Sequence, residues 1–192
     1  MDGSLDSFQL VKDDFRHRIT HILAGHSEDY AWFLDHYGPS VFRLVARLVH
    51  SPQEAEEITQ DAFMKAYQHL DRFSLDADFY PWIARIAYNE AISHLRRQHA
   101  KYVSIDDEDR KIDLVADDEA DEALADARRA AQLKKAIEQL KPDERTLLTL
   151  YYYDQRSVND IAYVLGISQS NANTRLHRIR KKLYLLMNNE GK

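Results

Sequence analysis

The sequence predicts an all-α protein made of two small helical domains joined by an acidic linker. Its 192 residues include only 5 glycines and 4 prolines, so turn signals are sparse and long helices are favoured over short strands. Apolar residues make up 44% of the chain and recur mostly at helical spacing, which is enough to build packed cores. One internal stretch is strongly acidic and separates two basic segments. We therefore place the first domain at 8–99, the linker at 100–122 and the second domain at 123–188.

Four helices are predicted in the first domain, each from an apolar stripe at three- and four-residue spacing. The first lies within 10–23 and is stopped by Gly25, and the second covers 37–49. The dipeptide Ser51–Pro52 gives the third helix an N-cap and a proline at its first position. The fourth begins at Pro81. The core-facing residues are expected to include Phe15, Ile19, Ile22, Leu23, Val41, Leu44, Val45, Leu48, Val49, Ala55, Ile58, Ala62, Ala66, Leu70, Trp82, Ile83, Ile86, Ala87, Ala91 and Leu95.

Aromatic side chains crowd the loop before the fourth helix and the start of that helix. They are Phe73, Phe79, Tyr80 and Trp82. Aromatic residues at such a place most often seal a core. The helix that follows is basic, however, and rings beside cations are what a site for unpaired bases needs. The residues alone leave both interpretations open.

The second domain carries a more specific pattern. Ser157, with Asp160 three residues later, resembles a capping box and starts a helix, and Gly166 ends that helix in the left-handed conformation. Ser168 caps the next helix. Two further apolar stripes, separated by Pro142, complete a four-helix unit. A helix, a short glycine turn and a second helix are the parts of a helix-turn-helix that reads DNA.

The last helix is polar in its first turn and cationic later. Polar groups suit base edges and cations suit phosphates, so we predict a DNA-binding face. The alternative is an ordinary helical hairpin with a solvated basic face. The predicted DNA-binding residues are Ser168, Gln169, Ser170, Asn171, Asn173, Thr174, Arg175, His177, Arg178 and Lys181.

The net charge of −6 argues at first against a nucleic-acid partner. Residues 101–126, however, contain 11 acidic and 3 basic residues, a net charge of −8, so the other 166 residues sum to +2. The segments 81–101 and 168–189 carry net charges of +3 and +5. The acidic segment is a solvated spacer, or it also screens a neighbouring basic surface or threads into a cationic channel.

Several kinds of chemistry are excluded or disfavoured. The chain has no cysteine, which excludes disulfides, thiolate catalysis and cysteine-based metal sites. It also has no glycine-rich phosphate loop and no serine nucleophile elbow. His17, His21 and His26 are close in sequence, but such histidines are more often solvated than metal-bound. We therefore expect no enzymatic activity, no cofactor and no metal. Without a signal peptide or an apolar run long enough for a bilayer, we expect a cytoplasmic protein without membrane insertion.

Five segments, taken in order, resemble RNA polymerase sigma factors of the extracytoplasmic-function group, which keep only regions two and four. Residues 23–34 resemble the start of region two, 54–67 its polymerase-binding helix and 81–97 its promoter-melting part. Residues 140–150 and 160–168 resemble region four. The resemblance covers nearly the whole chain in the right order.

The resemblance implies a set of partners and roles. Core RNA polymerase would be bound through the clamp helices of its largest subunit by Glu57, Gln60, Asp61 and Phe63. The loop 70–78 would capture a base flipped from the minus-ten element of promoter DNA. The residues expected near that single strand are Phe73, Phe79, Tyr80, Trp82, Arg85, Asn89, Arg96 and Arg97. The last helix would read the minus-thirty-five element. An anti-sigma factor would clamp between the domains, and the linker would run near the RNA exit path.

The sequence departs from the family at three places. Ala172–Asn173 replaces a common Val-Lys pair early in the recognition helix, so sequence preference cannot be carried over. Residues 53–57 replace an Asp-Ala-Glu-Asp start, and Tyr80–Pro81 precedes Trp82. The alternative function is a stand-alone helix-turn-helix regulator whose first domain binds a ligand or a partner.

Overall fold

The computed structural model describes residues 15–49, 51–102 and 122–189. Within these ranges every regular element is helical and there is no strand, as predicted. The chain divides into two compact units, Met1–Ala91 and Ile92–Lys192, and the division falls within one long helix. Most of the predicted acidic linker, residues 103–121, lies outside the described residues, as do residues 10–14 of the first predicted helix.

In the described residues, the first unit contains three helices, the first of them followed from residue 15 onward, and the beginning of a fourth. They are α1 (residues 15–23), α2 (Tyr30–Ala46), α3 (Pro52–Gln68) and α4 (Phe79–Tyr102), with single 3₁₀ turns at Ser27–Asp29 and Leu70–Arg72. Gly25 follows α1 with φ of 109°, in the region where a side chain would be strained. Ser51 Oγ accepts the Glu54 amide N–H at 3.4 Å, which confirms the predicted cap of α3.

The second helix differs from the prediction because it begins at Tyr30 rather than at residue 37 and passes through Pro39. Gly38 and Pro39 are turn signals in the sequence, yet here they lie inside the helix. Proline removes one backbone hydrogen bond, to the carbonyl four residues earlier at Asp35. Both Pro39 and Asp35 are exposed, so water can satisfy that carbonyl and the helix continues.

The core of the first unit confirms the predicted stripe of α3, since Ala55, Ile58, Ala62, Ala66 and Leu70 are all buried. Leu23, in contrast, was expected to face the core and is 54% exposed. It stands at the last position of α1, just before the chain turns at Ala24 and Gly25.

The second unit is a four-helix arrangement around its last helix. Its helices are α5 (Glu122–Glu138), α6 (Pro142–Leu148), α7 (Val158–Leu165) and α8 (Gln169–Asn189), and a π-helical turn (Thr149–Tyr153) follows α6. Helix α8 packs against α5, α6 and α7. Its buried residues Ala172, Leu176, Ile179 and Leu183 are the predicted inner face.

The turn between α7 and α8 also follows the prediction. Ser157 Oγ accepts the Asp160 amide N–H at 3.1 Å, and Ser168 Oγ accepts the Asn171 amide N–H at 3.2 Å. Gly166 adopts φ 67° and ψ 35°, the left-handed conformation. The Ile167 amide then donates to the Ala162 carbonyl at 3.0 Å, which closes the end of α7. These local bonds set the angle at which α8 leaves the turn.

Candidate nucleic-acid interface

The outer face of α8 is exposed along its whole length. Opposite the buried inner face lie Ser170, Asn173, Thr174, His177, Arg178 and Lys181, all of them exposed, and Ser168, Gln169 and Asn171 are exposed at the helix start. Arg178 and Lys181 make no hydrogen bond or ion pair with any of the residues that the structure describes. Their charges are therefore available to a phosphate backbone.

Arg175 differs from the other predicted DNA-binding residues because it is half-buried and paired within the unit. Its Nη1 lies 2.9 Å from Asp143 Oδ2 in the first turn of α6, and its Nε donates to Asn171 Oδ1 at 3.1 Å. In the chain without DNA the guanidinium holds α6 and Asn171, and the direct DNA contact of Arg175 stays a prediction. Sequence reasoning missed the ion pair because the partner carboxylate stands 32 residues earlier.

A second ion pair joins the same two helices. Lys182 Nζ lies 2.8 Å from Glu144 Oε2, which also accepts the Lys141 amide N–H at 2.9 Å. Burial acts to raise the pKa of Glu144, but the hydrogen bonds from Lys182 and Lys141 outweigh it and hold that pKa below its usual value. A lowered carboxyl pKa stabilises the folded state near neutral pH, and this stabilisation is lost as the pH falls through the folded-state pKa.

Arg180 is tied to the π-helical turn. Its Nε donates to the Tyr152 hydroxyl at 2.7 Å, and its guanidinium lies 5.5 Å from the centre of the Tyr151 ring. The hydrogen bond to Tyr152 raises the pKa of Arg180. Of the five cations of α8, three therefore have intramolecular partners, while Arg178 and Lys181 have none among the described side chains.

In the first unit, the predicted stacking aromatics form part of the core. Phe73, Phe79 and Tyr80 are only 7%, 1% and 2% exposed. The Phe73 ring centre lies 5.6 Å from that of Phe79 and 5.1 Å from that of Trp82, which is half-buried. Rings with so little free surface cannot stack on a base in this conformation, and the stacking role of Phe73, Phe79 and Tyr80 stays a prediction. They seal the core beneath the loop.

The loop above these rings is itself exposed at every residue from 74 to 78. Arg16 holds it from α1, because its Nη2 lies 2.7 Å from Asp76 Oδ1 and its Nε donates to the Leu75 carbonyl at 3.3 Å. The Ala77 amide donates to the Ser74 carbonyl at 2.9 Å and shapes a turn. The buried rings below and Arg16 beside it fix where the loop stands. Sequence reasoning missed Arg16.

The remaining predicted residues of α4 lie along one side of the helix. At about 100° per residue, Trp82, Arg85, Asn89 and Arg96 project in similar directions, and Arg97 lies a little further round. Asn89, Arg96 and Arg97 are exposed, whereas Trp82 and Arg85 are half-buried.

On α3, the predicted polymerase-binding residues separate into two groups. Glu57, Gln60 and Asp61 are exposed on one face. Phe63 is 2% exposed, and its backbone carbonyl accepts the Tyr30 hydroxyl at 2.7 Å, so Phe63 belongs to the core rather than to that surface. Met64, which the prediction did not include, is 60% exposed and lies on the same face as Glu57 and Asp61.

The histidines at the end of α1 pair with one another and with acids. His21 and His26 stack with ring centres 3.7 Å apart, and His21 Nδ1 lies 2.5 Å from Asp29 Oδ2. The hydrogen bond from His21 holds the pKa of Asp29 below its usual value. Among the described residues, no group of three or more His, Asp or Glu side chains is arranged to hold a metal ion.

Two helical units, one of which presents free cations on the second helix of a helix-turn-helix, define a two-domain DNA-binding protein. Comparison with known proteins gives the family. Residues 33–101 match sigma-70 region 2, and residues 130–183 match sigma-70, region 4. The chain belongs to the sigma-70 family of RNA polymerase sigma factors, in its extracytoplasmic-function group.

Two relatives illustrate the similarity. The extracytoplasmic-function sigma factor SigW of Bacillus subtilis is 33% identical over 174 residues, which cover 86% of this chain and 92% of SigW. The RNA polymerase sigma-H factor of Pseudomonas aeruginosa is 29% identical, over 91% of this chain and 94% of that protein.

Solved structures show the same fold. CnrH, in complex with the cytosolic domain of CnrY, matches 92% of this chain and 98% of its own with a TM-score of 0.64 at 22% identity. RpoE of Bartonella quintana, in complex with the anti-sigma factor NepR, matches 84% of this chain and 98% of its own with a TM-score of 0.64 at 23% identity. In the described part of the present chain, no helix is both long and apolar enough to cross a bilayer.

Proposed function

We propose that the chain binds core RNA polymerase, places α8 on the minus-thirty-five element, and holds the melted minus-ten element on α4 and the preceding loop. The supporting observation is that the residues of α8 fall into three groups: a buried face, paired cations and exposed cations. Its inner face is packed, three of its cations are paired inside the unit, and Arg178 and Lys181 project from the opposite, exposed side. Paired cations fix the helix, and free cations contact phosphates.

The minus-ten function rests on the exposed loop 74–78 and on one side of α4. Flipping a base out of a duplex costs a few kcal/mol, which a protein must offset with new contacts. We propose that the loop receives the flipped base and that Trp82, Arg85, Asn89, Arg96 and Arg97 follow the single strand. The aromatic cluster below acts as a rigid support for the loop.

The polymerase surface is proposed on the exposed face of α3, at Glu57, Gln60 and Asp61, together with Met64 on the same face. Exposed methionine on a polar helix face is typical of a protein-binding surface, because its flexible side chain adapts to a partner. The domain boundaries 8–99 and 123–188 are retained, since the two family matches fall largely within them.

The proposed role needs no catalytic group and no cofactor, since binding energy alone opens the promoter. It also places the chain in the cytoplasm, where RNA polymerase works. Two structures of similar fold are complexes with a second protein: CnrH with the cytosolic domain of CnrY, and the sigma factor RpoE with the anti-sigma factor NepR. We propose that an anti-sigma factor restrains this chain as well.

Run-off transcription with core polymerase tests the proposal. Core enzyme alone is expected to give no transcript from promoters that the protein occupies, and addition of the protein is expected to start transcription at a fixed position. A protein that binds promoter duplexes tightly by itself but never supports initiation would instead be a stand-alone regulator.

A further inference from the structure

Asn171 is held in one orientation by a chain of contacts that starts outside the recognition helix. Asp143 Oδ2 lies 2.9 Å from Arg175 Nη1, and Arg175 Nε donates to Asn171 Oδ1 at 3.1 Å. The Asn171 backbone N–H is bound in turn by the Ser168 cap at 3.2 Å. Both the main chain and the side chain of Asn171 are thus fixed at the exposed start of α8.

The chemistry of arginine decides which end of the Asn171 amide is fixed. An arginine Nε carries a proton and can only donate, so the amide atom that faces it must be the oxygen. The Nδ2 amino group, with its two N–H donors, is left to project from an exposed residue. Without the bond from Arg175, the Asn171 side chain could present either its oxygen as an acceptor or its amino group as a donor.

We infer that Asn171 is a specificity-determining residue which selects guanine rather than adenine at one position of the minus-thirty-five element, and that Arg175 and Asp143 are its positioning residues. An asparagine reads adenine by accepting from N6 and donating to N7 at once, whereas here the bond from Arg175 uses one lone pair of the Asn171 oxygen and holds that oxygen toward Arg175, so its orientation is set by Arg175 rather than by an adenine N6. Guanine presents two acceptors, N7 and O6, to the major groove, and both match the free amino group. The inference rests on the proposed function, since it requires α8 to lie in that groove.

The experiment selects promoters from a pool whose minus-thirty-five element is randomised, using core polymerase reconstituted with the full chain. The wild-type chain is expected to prefer guanine over adenine at one position by roughly tenfold, the usual size of a paired base contact. Asn171→Asp replaces the donor by a carboxylate that only accepts, and the preference at that position is expected to change to cytosine, whose N4 amino group donates.

The positioning role is tested by Arg175→Met, which keeps an unbranched aliphatic stem but removes the guanidinium and with it the donor to Asn171. The amide oxygen of Asn171 becomes free, and the preference for guanine over adenine is expected to fall several-fold. Asp143→Ala is expected to lower the same preference, because it removes the carboxylate that pairs with Arg175. Lys182→Met is the matched control, because it breaks the neighbouring ion pair to α6 at Glu144 without touching Asn171, and it is expected to leave base preference unchanged.

The outcomes separate the inference from the function beneath it. If Asn171→Asp and Arg175→Met select the same bases as the wild type, while Arg178→Ala lowers affinity for the promoter, the inference is overturned and α8 still binds DNA. If Arg178→Ala and Lys181→Ala also leave promoter affinity unchanged, the proposed function of α8 fails as well. Thermal melting of each variant shows whether a loss of selection comes from unfolding.

Discussion

The five cations of α8 have the same charge and different tasks, and neighbouring side chains decide which task each performs. Arg175, Arg180 and Lys182 face Asp143, Tyr152 and Glu144, whereas Arg178 and Lys181 face solvent. A cation that is already hydrogen-bonded gains less from a phosphate, because it must first give up its partner. Charge counted along a helix therefore overestimates the number of cations that lack an intramolecular partner among the described residues.

Replacing Arg178 by alanine is expected to weaken promoter binding and to reduce the slope of log affinity against log salt by about one unit, since one phosphate contact releases about one counterion. The melting temperature should stay unchanged, because the side chain has no partner among the described residues. Titration of promoter duplex at several KCl concentrations measures the slope.

Arg180→Ala is the matched control for this change. It removes an equal charge that lies two residues from Arg178 and next to Lys181, together with a hydrogen bond and a ring contact. We expect lower thermal stability and a nearly unchanged salt slope. Equal slopes for wild type and Arg178→Ala would remove Arg178 from the phosphate contacts.

Neighbouring side chains also decide the role of Phe73, an aromatic residue that is buried in the core of the first unit. Phe73→Ala is expected to lower the free energy of unfolding of the first unit by about 3 kcal/mol or more, since a buried Phe→Ala change leaves a cavity. Both tryptophans, Trp32 and Trp82, lie in this unit, so urea unfolding followed by tryptophan fluorescence reports on it alone. Closed promoter binding and promoter opening should decline together.

Phe73→Leu serves as the conservative variant, because it retains much of the apolar volume and should recover most of the stability. If Phe73→Ala folds as stably as the wild type and selectively impairs opening, the ring stacks on DNA and its burial in the free chain is relieved on the promoter.

At the scale of elements, the helix-turn-helix was predictable from sequence because its signals are local. Ser157, Gly166 and Ser168 each act on residues within four positions, and each makes the predicted cap or turn. The start of α2 was not predictable in this way, because Gly38 and Pro39 suggest a break that solvent exposure makes tolerable. The Asp143–Arg175 pair was also out of reach, since it joins residues that only the fold brings together.

Substitution by alanine is expected to have opposite effects on stability at two glycines, Gly166 and Gly38. Gly166→Ala should destabilise the second unit by roughly 1–2 kcal/mol, because φ is 67° there and an L side chain is strained in that region. Gly38→Ala should stabilise the first unit by about 0.5–1 kcal/mol, because Gly38 is helical and a Cβ would meet no atom within 4 Å.

Unfolding measured by tryptophan fluorescence should show the gain from Gly38→Ala, and unfolding measured by far-ultraviolet circular dichroism should show the loss from Gly166→Ala. A Gly166→Ala chain that melts like the wild type would mean that the turn relaxes without cost. In that case the turn would not set the direction of α8.

At the scale of the whole molecule, acidic and basic residues are concentrated in different segments, and the sequence alone shows this. Residues 101–126 carry a net charge of −8 while the rest of the chain sums to +2, so the basic helices belong to a protein that is acidic on average. What the sequence does not show is which aromatic and basic side chains stay exposed. Phe63, Phe73 and Phe79 become core residues through contacts made across the first unit.

The acidic segment should lower the affinity of the free chain for DNA of any sequence. Replacing its 11 carboxylates between 101 and 126 by the corresponding amides changes the net charge from −6 to +5. Repulsion between the segment and phosphates then disappears, and we expect non-specific duplex binding to tighten several-fold at low salt. The difference should shrink as salt is raised, since at about 0.15 M the Debye length is only about 8 Å. Fluorescence anisotropy of a labelled non-specific duplex across a KCl series measures this affinity and its salt dependence.

A variant with the same segment residues in shuffled order keeps the charge and should bind like the wild type. Equal affinities of the neutralised and wild-type chains at every salt concentration would show that the segment acts as a spacer alone.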